Sequence, residues 1–241
     1  QDLLDVERVE VLKGPQGTLY GANTLSGLIS YTLREPQLDR ISAIARAELA
    51  GTQGGGTSYS ARAALSVPIV TDRIGLRVSG YRDVKGGFID NGIRGIPNQN
   101  RSKYRGVSAS LLVRPTERLK IMVSGFLQDS DIVQDVAIYD PATHRPRDGD
   151  LRYDDYLYPL YDKTVRVLLG SADYEFDFAT LTAITSFQRN NSDTRQNATN
   201  GQIGALSRVR QHFRSLKLVH HDVEPAGCRL LHRVLQVAQR V

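Results

Sequence analysis

The sequence contains a single cysteine, Cys228, which excludes a disulfide within the chain and leaves its redox compartment open. No apolar run approaches the roughly 18 residues that a membrane-spanning helix needs. The first residues, QDLLDVERVE, lack a basic stretch followed by an apolar one, so no signal peptide is visible. Because the first residue is not Met, we expect that the sequence does not begin at a natural N-terminus.

The net charge of +5 lies entirely in the last part of the chain. From Arg208 onward there are seven basic and two acidic residues, whereas the preceding part holds 24 of each sign. A neutral body does not favour nucleic-acid binding, which depends on a basic surface. We therefore expect no nucleic-acid partner.

From Ile41 onward, apolar and polar residues alternate with a period of two, which is typical of half-buried strands. Short polar turns such as RPTER alternate along the chain with long loops such as KGGFIDNGIRGIPNQNRS. An up-and-down antiparallel barrel with one short-turn rim and one long-loop rim has this rhythm. The strand segments are TSYSARAALSVP, RIGLRVSGYRD, KYRGVSASLLV, ERLKIMVSGFLQD, KTVRVLLGSADYEF and FATLTAITSFQRN.

A soluble β-sandwich is the alternative to a membrane barrel. Its buried faces would carry bulky apolar side chains. Here one face of the alternation is thinly apolar, with many Ala and Gly residues, and the other carries Arg, Lys, Ser and Gln. Strands of about ten residues also match the length of a tilted membrane-crossing strand. The pattern favours an all-β chain whose apolar band faces lipid and whose polar face lines a lumen.

A glycine-rich segment, VERVEVLKGPQGTLYGANTLSGLISYTLREP, occupies residues 6–36. It matches neither the phosphate-binding pattern G-x-x-x-x-G-K-[ST] nor the dinucleotide pattern G-x-G-x-x-G. The segment resembles the end of the plug domain of TonB-dependent outer-membrane receptors, which commonly reads V-E-R-I-E-V-L-R-G-P-x-G-x-L-Y-G and, after a short stretch, G-G-x-I-N-I-x-T-K-x-P. The principal plug-motif residues here are Glu7, Arg8, Glu10, Lys13, Gly14, Pro15, Gly17, Tyr20, Gly21 and Gly27, with Lys13 in place of the usual Arg.

The resemblance implies an all-β fold in which the end of a plug domain precedes about seven or eight antiparallel strands of an incomplete transmembrane β-barrel. Such receptors have a barrel of roughly 22 strands with a plugged lumen. The implied function is energy-coupled uptake of a scarce ligand, of the siderophore, cobalamin or oligosaccharide class, across the bacterial outer membrane. The implied partners are outer-membrane lipid, the TonB energy-transducing system and an unidentified small ligand. A non-transporting remnant or a soluble β-rich binding module derived from such a receptor is the alternative.

The resemblance also predicts three regions in the chain. Residues 1–36 would be the C-terminal part of the plug, and residues 37–215 the first barrel strands. Residues 216–241 form an atypical basic tail, in which alternation stops near Pro225 and a change of reading frame is one explanation. Charged plug residues are expected to pair with the inner wall of the barrel, and the candidate wall positions are Arg46, Arg62 and Arg77.

The segment YDPATHRPRDGDLRYDDYLYPLYD concentrates tyrosines and aspartates in one expected extracellular loop. Tyr and carboxylate side chains together suit contact with a sugar or a chelate, although an aromatic girdle beside a solvated acidic loop explains the same composition. The loop residues proposed for ligand contact are Tyr153, Asp154, Asp155, Tyr156 and Tyr158. No catalytic constellation, cofactor motif or metal-ligand spacing is recognisable, so we expect neither an enzyme nor a cofactor.

Overall fold

The computed structural model describes residues 5–14, 27–133, 139–156, 159–197 and 206–225, and beyond residue 195 only the backbone. All ten described elements are strands, and they form two sheets. The first sheet is a hairpin of β1 (Val6–Lys13) and β2 (Gly27–Leu33). The second has eight strands, which are β3 (Ser42–Gly51), β4 (Thr57–Val70), β5 (Ile74–Lys85), β6 (Ser102–Thr116), β7 (Leu119–Ile132), β8 (Leu160–Glu175), β9 (Ala179–Asn197) and β10 (Leu206–Pro225).

Each strand of the large sheet pairs antiparallel with the next in sequence, so the topology is an up-and-down meander with β3 and β10 at its edges. Short turns join β4 to β5, β6 to β7 and β8 to β9, whereas the other connections are longer. The all-β class and the run of eight antiparallel strands are therefore confirmed. No helix among the described residues is long and apolar enough to cross a membrane.

The pairing register separates the two faces of the large sheet. On β5, Arg77 and Ser79 lie on the same face as their partners Ser66 on β4 and Ser108 on β6, and we call this the inner face. The opposite, outer face carries the apolar residues of the same alternation. Several of these are exposed, including Leu65, Val78, Val107, Val123, Leu127, Leu168 and Phe187. The register therefore places the polar side chains on the inner face and the exposed apolar side chains on the outer face, as expected.

The strands are longer than the roughly ten residues expected for a membrane crossing. From β6 to β9 they run for 14 to 19 residues. The additional residues lie toward the long loops, where charged side chains such as Asp129 and Asp131 occupy the outer face. The ladder continues there because backbone pairing needs no apolar side chain.

The predicted boundary at residue 215 falls inside β10, which extends to Pro225. Residues 226–241, which form most of the predicted basic tail, lie outside the described part of the chain. The division into plug, barrel strands and tail stays a prediction, although the two sheets separate within residues 34–41, close to the predicted boundary at residue 36.

Candidate functional site

The hairpin meets the large sheet through the carboxylate of Asp5, immediately before β1. Asp5 Oδ1 accepts a hydrogen bond from Arg77 Nε at 3.1 Å, and the Ser79 and Ser108 hydroxyls both donate to Asp5 Oδ2. The side chains of Arg77 and Asp5 are only 7 % and 14 % exposed. One carboxylate oxygen thus accepts from a charged guanidinium and the other accepts from two hydroxyls, and such bonds to a charged acceptor are strong and directional. We call this group of four residues the Asp5 latch.

Residues 34–41, here called the linker, extend the contact toward the short-turn rim. The backbone N–H of Gln37 donates to the hydroxyl of fully buried Ser66 at 2.7 Å, and Lys120 Nζ lies 2.7 Å from Glu35 Oε1. Leu38 packs against Leu112 and Met122 on the inner face. The linker therefore adds a small apolar contact and a half-exposed ion pair to the latch.

Gly75 on β5 is needed for this close approach. A Cβ at this position would lie 2.8 Å from the Gln37 carbonyl oxygen and 2.9 Å from Leu38 Cδ2. Any larger residue would push the linker off the inner face, because a real Cβ is not found within 3.0 Å of a neighbour.

A pocket that is partly open to solvent lies beside the latch. Its walls come from the hairpin side, with Asp5 and Leu33, and from the inner face, with Ser79, Tyr81 and Phe126. The hairpin thus rests on the wall at a few polar points rather than over a continuous packed surface.

The two long loops after β5 and β7 form a second polar cluster, which we call the loop unit (residues 86–101 and 139–156). Asp90 N–H donates to the Leu151 carbonyl and Tyr153 N–H to the Asp90 carbonyl, both at 2.9 Å. Asn91 is 1 % exposed, and its side-chain amide donates to the Asp155 carbonyl at 2.8 Å while its oxygen accepts from Arg94 N–H. These bonds join the two loops into one body.

Carboxylates complete the loop unit. Asp154 Oδ1 accepts from Gly92 N–H at 2.6 Å, and Asp148 Oδ2 accepts from Asp154 N–H at 3.1 Å. A hydrogen bond from Arg147 holds the pKa of Asp148 below its ordinary value, and a hydrogen bond from Arg152 does the same for the pKa of Asp154. Both carboxylates are therefore stabilised in their charged form, Asp148 by partners within its own loop and Asp154 by Arg152 and by the backbone of the other loop.

Comparisons with known proteins agree with this architecture. The sequence is 38 % identical over 69 residues to the pesticin receptors of Yersinia enterocolitica and Yersinia pestis, a match that covers 29 % of this chain and 10 % of the relative. No protein-family model matches the sequence. The fold resembles the ferric yersiniabactin uptake receptor FyuA of Yersinia pestis, with a TM-score of 0.67, 21 % identity and coverage of 79 % of this chain and 29 % of that one.

A second solved structure, a mutant of the ferric enterobactin receptor PfeA from Pseudomonas aeruginosa, has a TM-score of 0.64 at 14 % identity. It is matched over 87 % of this chain and 32 % of its own. The chain shares the fold of these TonB-dependent receptors. It spans about a third of the length of these neighbours. These relatives are outer-membrane receptors of Gram-negative bacteria rather than enzymes, in agreement with the predicted class and location.

The structure describes part of the receptor's predicted plug motif. Glu7, Arg8 and Lys13 are exposed on β1, and Glu10 is half-buried and lies 3.0 Å from Arg8 within the same strand. Gly14 and Gly27 both have positive φ, which glycine adopts without strain, and they flank the connection between β1 and β2. Pro15, Gly17, Tyr20 and Gly21 lie outside the described residues.

Of the candidate wall arginines, Arg77 lies in the latch, and Arg62 lies 3.7 Å from Asp83 of the neighbouring strand. Arg46 lies opposite Arg62 on the same inner face. Pairing of the plug-motif charges with the wall stays a prediction, since the wall contact described here is made by Asp5. Sequence reasoning missed Asp5 because it precedes the motif and its partners Arg77 and Ser108 lie 72 and 103 residues away.

The residues proposed for ligand contact divide into two groups. Tyr153 and Asp155 are buried, and the Tyr153 hydroxyl donates to Asp155 Oδ2 at 3.0 Å within the loop unit. Asp154 joins the two loops, whereas Tyr156 is 83 % exposed. Tyr158 lies outside the described residues. Ligand contact by these residues stays a prediction, for which Tyr156 has the most accessible side chain.

Acidification is expected to loosen the loop unit. Because the pKa values of Asp148 and Asp154 are lowered in the folded loops, their stabilisation is present above the ordinary value of 3.8 and disappears as the pH falls through the lowered values. The protection of residues 86–101 and 139–156 from hydrogen exchange, relative to the intrinsic exchange rate at each pH, should therefore fall below about pH 4. Asp154→Asn should reduce this dependence on pH, whereas substitution of exposed Asp150 by Asn should preserve it. An unchanged pH response in Asp154→Asn would refute this role of the carboxylate.

Proposed function

We propose that this chain supplies the end of the plug and the first barrel strands of a receptor that takes up a ferric siderophore through energy supplied by TonB. The observation that carries the proposal is the docking of the β1–β2 hairpin against the polar inner face through the Asp5 latch. A short hairpin held against a polar wall by a few bonds suits a plug that must stay closed at rest and move under force.

The strengths of the individual contacts are consistent with a plug that stays closed at rest and moves under force. The ion pair between Glu35 and Lys120 is partly exposed, and pairs of this kind contribute about 0–1 kcal/mol. The buried latch is stronger, because breaking it leaves the Arg77 guanidinium buried without its carboxylate. The latch would therefore set most of the resistance to plug displacement, while the linker contacts yield easily.

The siderophore class is proposed from the relatives. FyuA is a ferric yersiniabactin uptake receptor, and PfeA is a ferric enterobactin receptor. The loop unit would present a rigid surface to such a ligand, since its internal bonds already order residues that would otherwise lose entropy on binding. Exposed Tyr156 is the proposed contact, and buried Tyr153 and Asp155 would support it.

Uptake of radiolabelled ferric siderophores tests the function. The full gene product would be produced in a Gram-negative host that lacks its own siderophore receptors, with and without an intact TonB system. We expect accumulation of ferric yersiniabactin or ferric enterobactin only when the host has both the receptor and TonB.

Outer-membrane fractions of the same cells provide the control. If the protein is inserted there but accumulates no labelled iron from either siderophore, the ligand assignment is wrong. Accumulation that is equal without TonB would instead contradict energy coupling. A protein found only in the soluble fraction would support the alternative of a β-rich binding module.

A further inference from the structure

The outer face of the large sheet changes character along the strands. Toward the short turns it is apolar and exposed, with Leu168 at 53 % and Phe187 at 43 %. One step further toward the long loops on the same face, each of these residues is followed by an arginine, Arg166 on β8 and Arg189 on β9. Val107 on β6 is likewise followed by Arg105. The apolar band therefore ends in arginines on three strands.

The pairing register brings these arginines together. Arg166 lies directly opposite Arg189, and Arg105 lies directly opposite Arg82 on β5. Like charges at directly opposed positions of neighbouring strands destabilise a sheet. We call these four residues the arginine collar. Two such pairs at the same edge of an apolar band need an anion to offset their repulsion.

Nearby carboxylates do not fully supply that anion. Asp129 accepts from Arg105 Nε at 3.1 Å and from the Thr164 hydroxyl at 2.9 Å, so both of its oxygens are engaged. Among the side chains that the structure describes, none forms an ion pair or hydrogen bond with Arg82, Arg166 or Arg189. Three guanidinium groups of the collar are thus available to an external ligand.

We propose that the arginine collar binds the phosphate groups of anionic lipids whose acyl chains cover the apolar band. This inference rests on the proposed membrane insertion of the sheet. A charge on a lipid-facing strand is tolerated only near the membrane interface, which sets the collar at headgroup level. Guanidinium groups suit this ligand because their planar fork binds phosphate oxygens in pairs. A lipid binds the arginine collar with its phosphate and covers the apolar band with its acyl chains, whereas free phosphate leaves the apolar residues uncovered.

Spin-labelled lipids test the collar on the full gene product reconstituted in phosphatidylcholine vesicles. Labelled phosphatidylglycerol should associate with the protein more tightly than labelled phosphatidylcholine. In the double variant Arg166→Gln and Arg189→Gln, this preference should fall by about 5-fold for each arginine removed at that site. The variant Arg166→Lys and Arg189→Lys keeps the charges and should retain most of the preference. The matched control is Arg40→Gln with Arg73→Gln, which removes two exposed arginines outside the collar.

The outcomes separate the collar from the proposed function. An equal lipid preference in the wild type and the glutamine double variant would overturn the collar but leave membrane insertion intact. Displacement of the labelled lipid by millimolar inorganic phosphate would show an adventitious anion site and also overturn it. If the wild type does not enter vesicles at all, membrane insertion fails before any lipid is compared, and the inference fails with it.

Discussion

Replacing Asp5 by alanine is expected to release the β1–β2 hairpin from the inner face of the sheet. The change removes the acceptor of Arg77, Ser79 and Ser108 in one step and leaves a guanidinium that is only 7 % exposed without its carboxylate. Loss of one partner from a buried ion pair costs about 3–5 kcal/mol. Hydrogen exchange of residues 5–14 and 27–33 should accelerate by at least about 100-fold as the hairpin undocks.

Glu7→Ala is the matched control, because it removes a carboxylate from an exposed position two residues further along the chain, on β1. It should leave the exchange of the hairpin nearly unchanged. The double variant Asp5→Ala with Arg77→Gln should recover part of the protection, since it also removes the buried guanidinium charge whose carboxylate is lost. If Asp5→Ala behaves like Glu7→Ala, the latch does not hold the hairpin.

Replacing Gly87 by alanine is expected to disrupt the loop unit. A Cβ on Gly87 would overlap the Asn98 carbonyl oxygen and would lie 2.8 Å from Asn100 Oδ1. That oxygen accepts from the backbone N–H groups of Phe88 and Ile89, at 2.6 and 2.8 Å, so the loop has little freedom to move aside. Overpacking of this kind costs about 1–3 kcal/mol, and more where backbone atoms collide. Hydrogen exchange in residues 86–101 should accelerate by about 100-fold.

Gly51→Ala provides the comparison for this substitution. Gly51 ends β3, has no atoms within 4 Å of its added Cβ, and should tolerate the same methyl group without loss of protection. The strands of the large sheet should keep their slow exchange in both variants. Slow exchange of residues 86–101 in Gly87→Ala would contradict the close approach of the two segments.

The alternation in the sequence predicted the class of fold and the polarity of each face because both depend on local geometry. Successive side chains of a strand point to opposite faces, so Arg77 and Ser79 could be assigned to one face and Leu76 and Val78 to the other without knowledge of the partners. The strand ends were less predictable. The apolar pattern stops before the charged positions Asp129 and Arg189, yet the ladder continues through both.

The site was less accessible to sequence reasoning than the fold. The plug motif drew attention to Glu7, Arg8 and Lys13, which are exposed, whereas the contact with the wall is made by Asp5 just before the motif. The tyrosine-rich loop was correctly located after β7, but its composition alone did not show that Asp155 is buried and joins a second loop. Both contacts connect segments that are far apart in the chain, and no local pattern carries that information.

The sequence by itself determined the antiparallel strands of this chain and the side chains that each face presents, and its glycine-rich segment indicated the family that it resembles. The spacing of glycines and a period of two are properties of neighbouring residues, so both can be read without the tertiary structure. Only the tertiary structure decided which of those side chains meet. Asp5 and Arg77 are separated by 72 residues, and Arg166 and Arg189 face each other only because the register of β8 and β9 aligns them. The contact of Asp5 with the sheet creates the latch, and the pairing of neighbouring strands creates the collar.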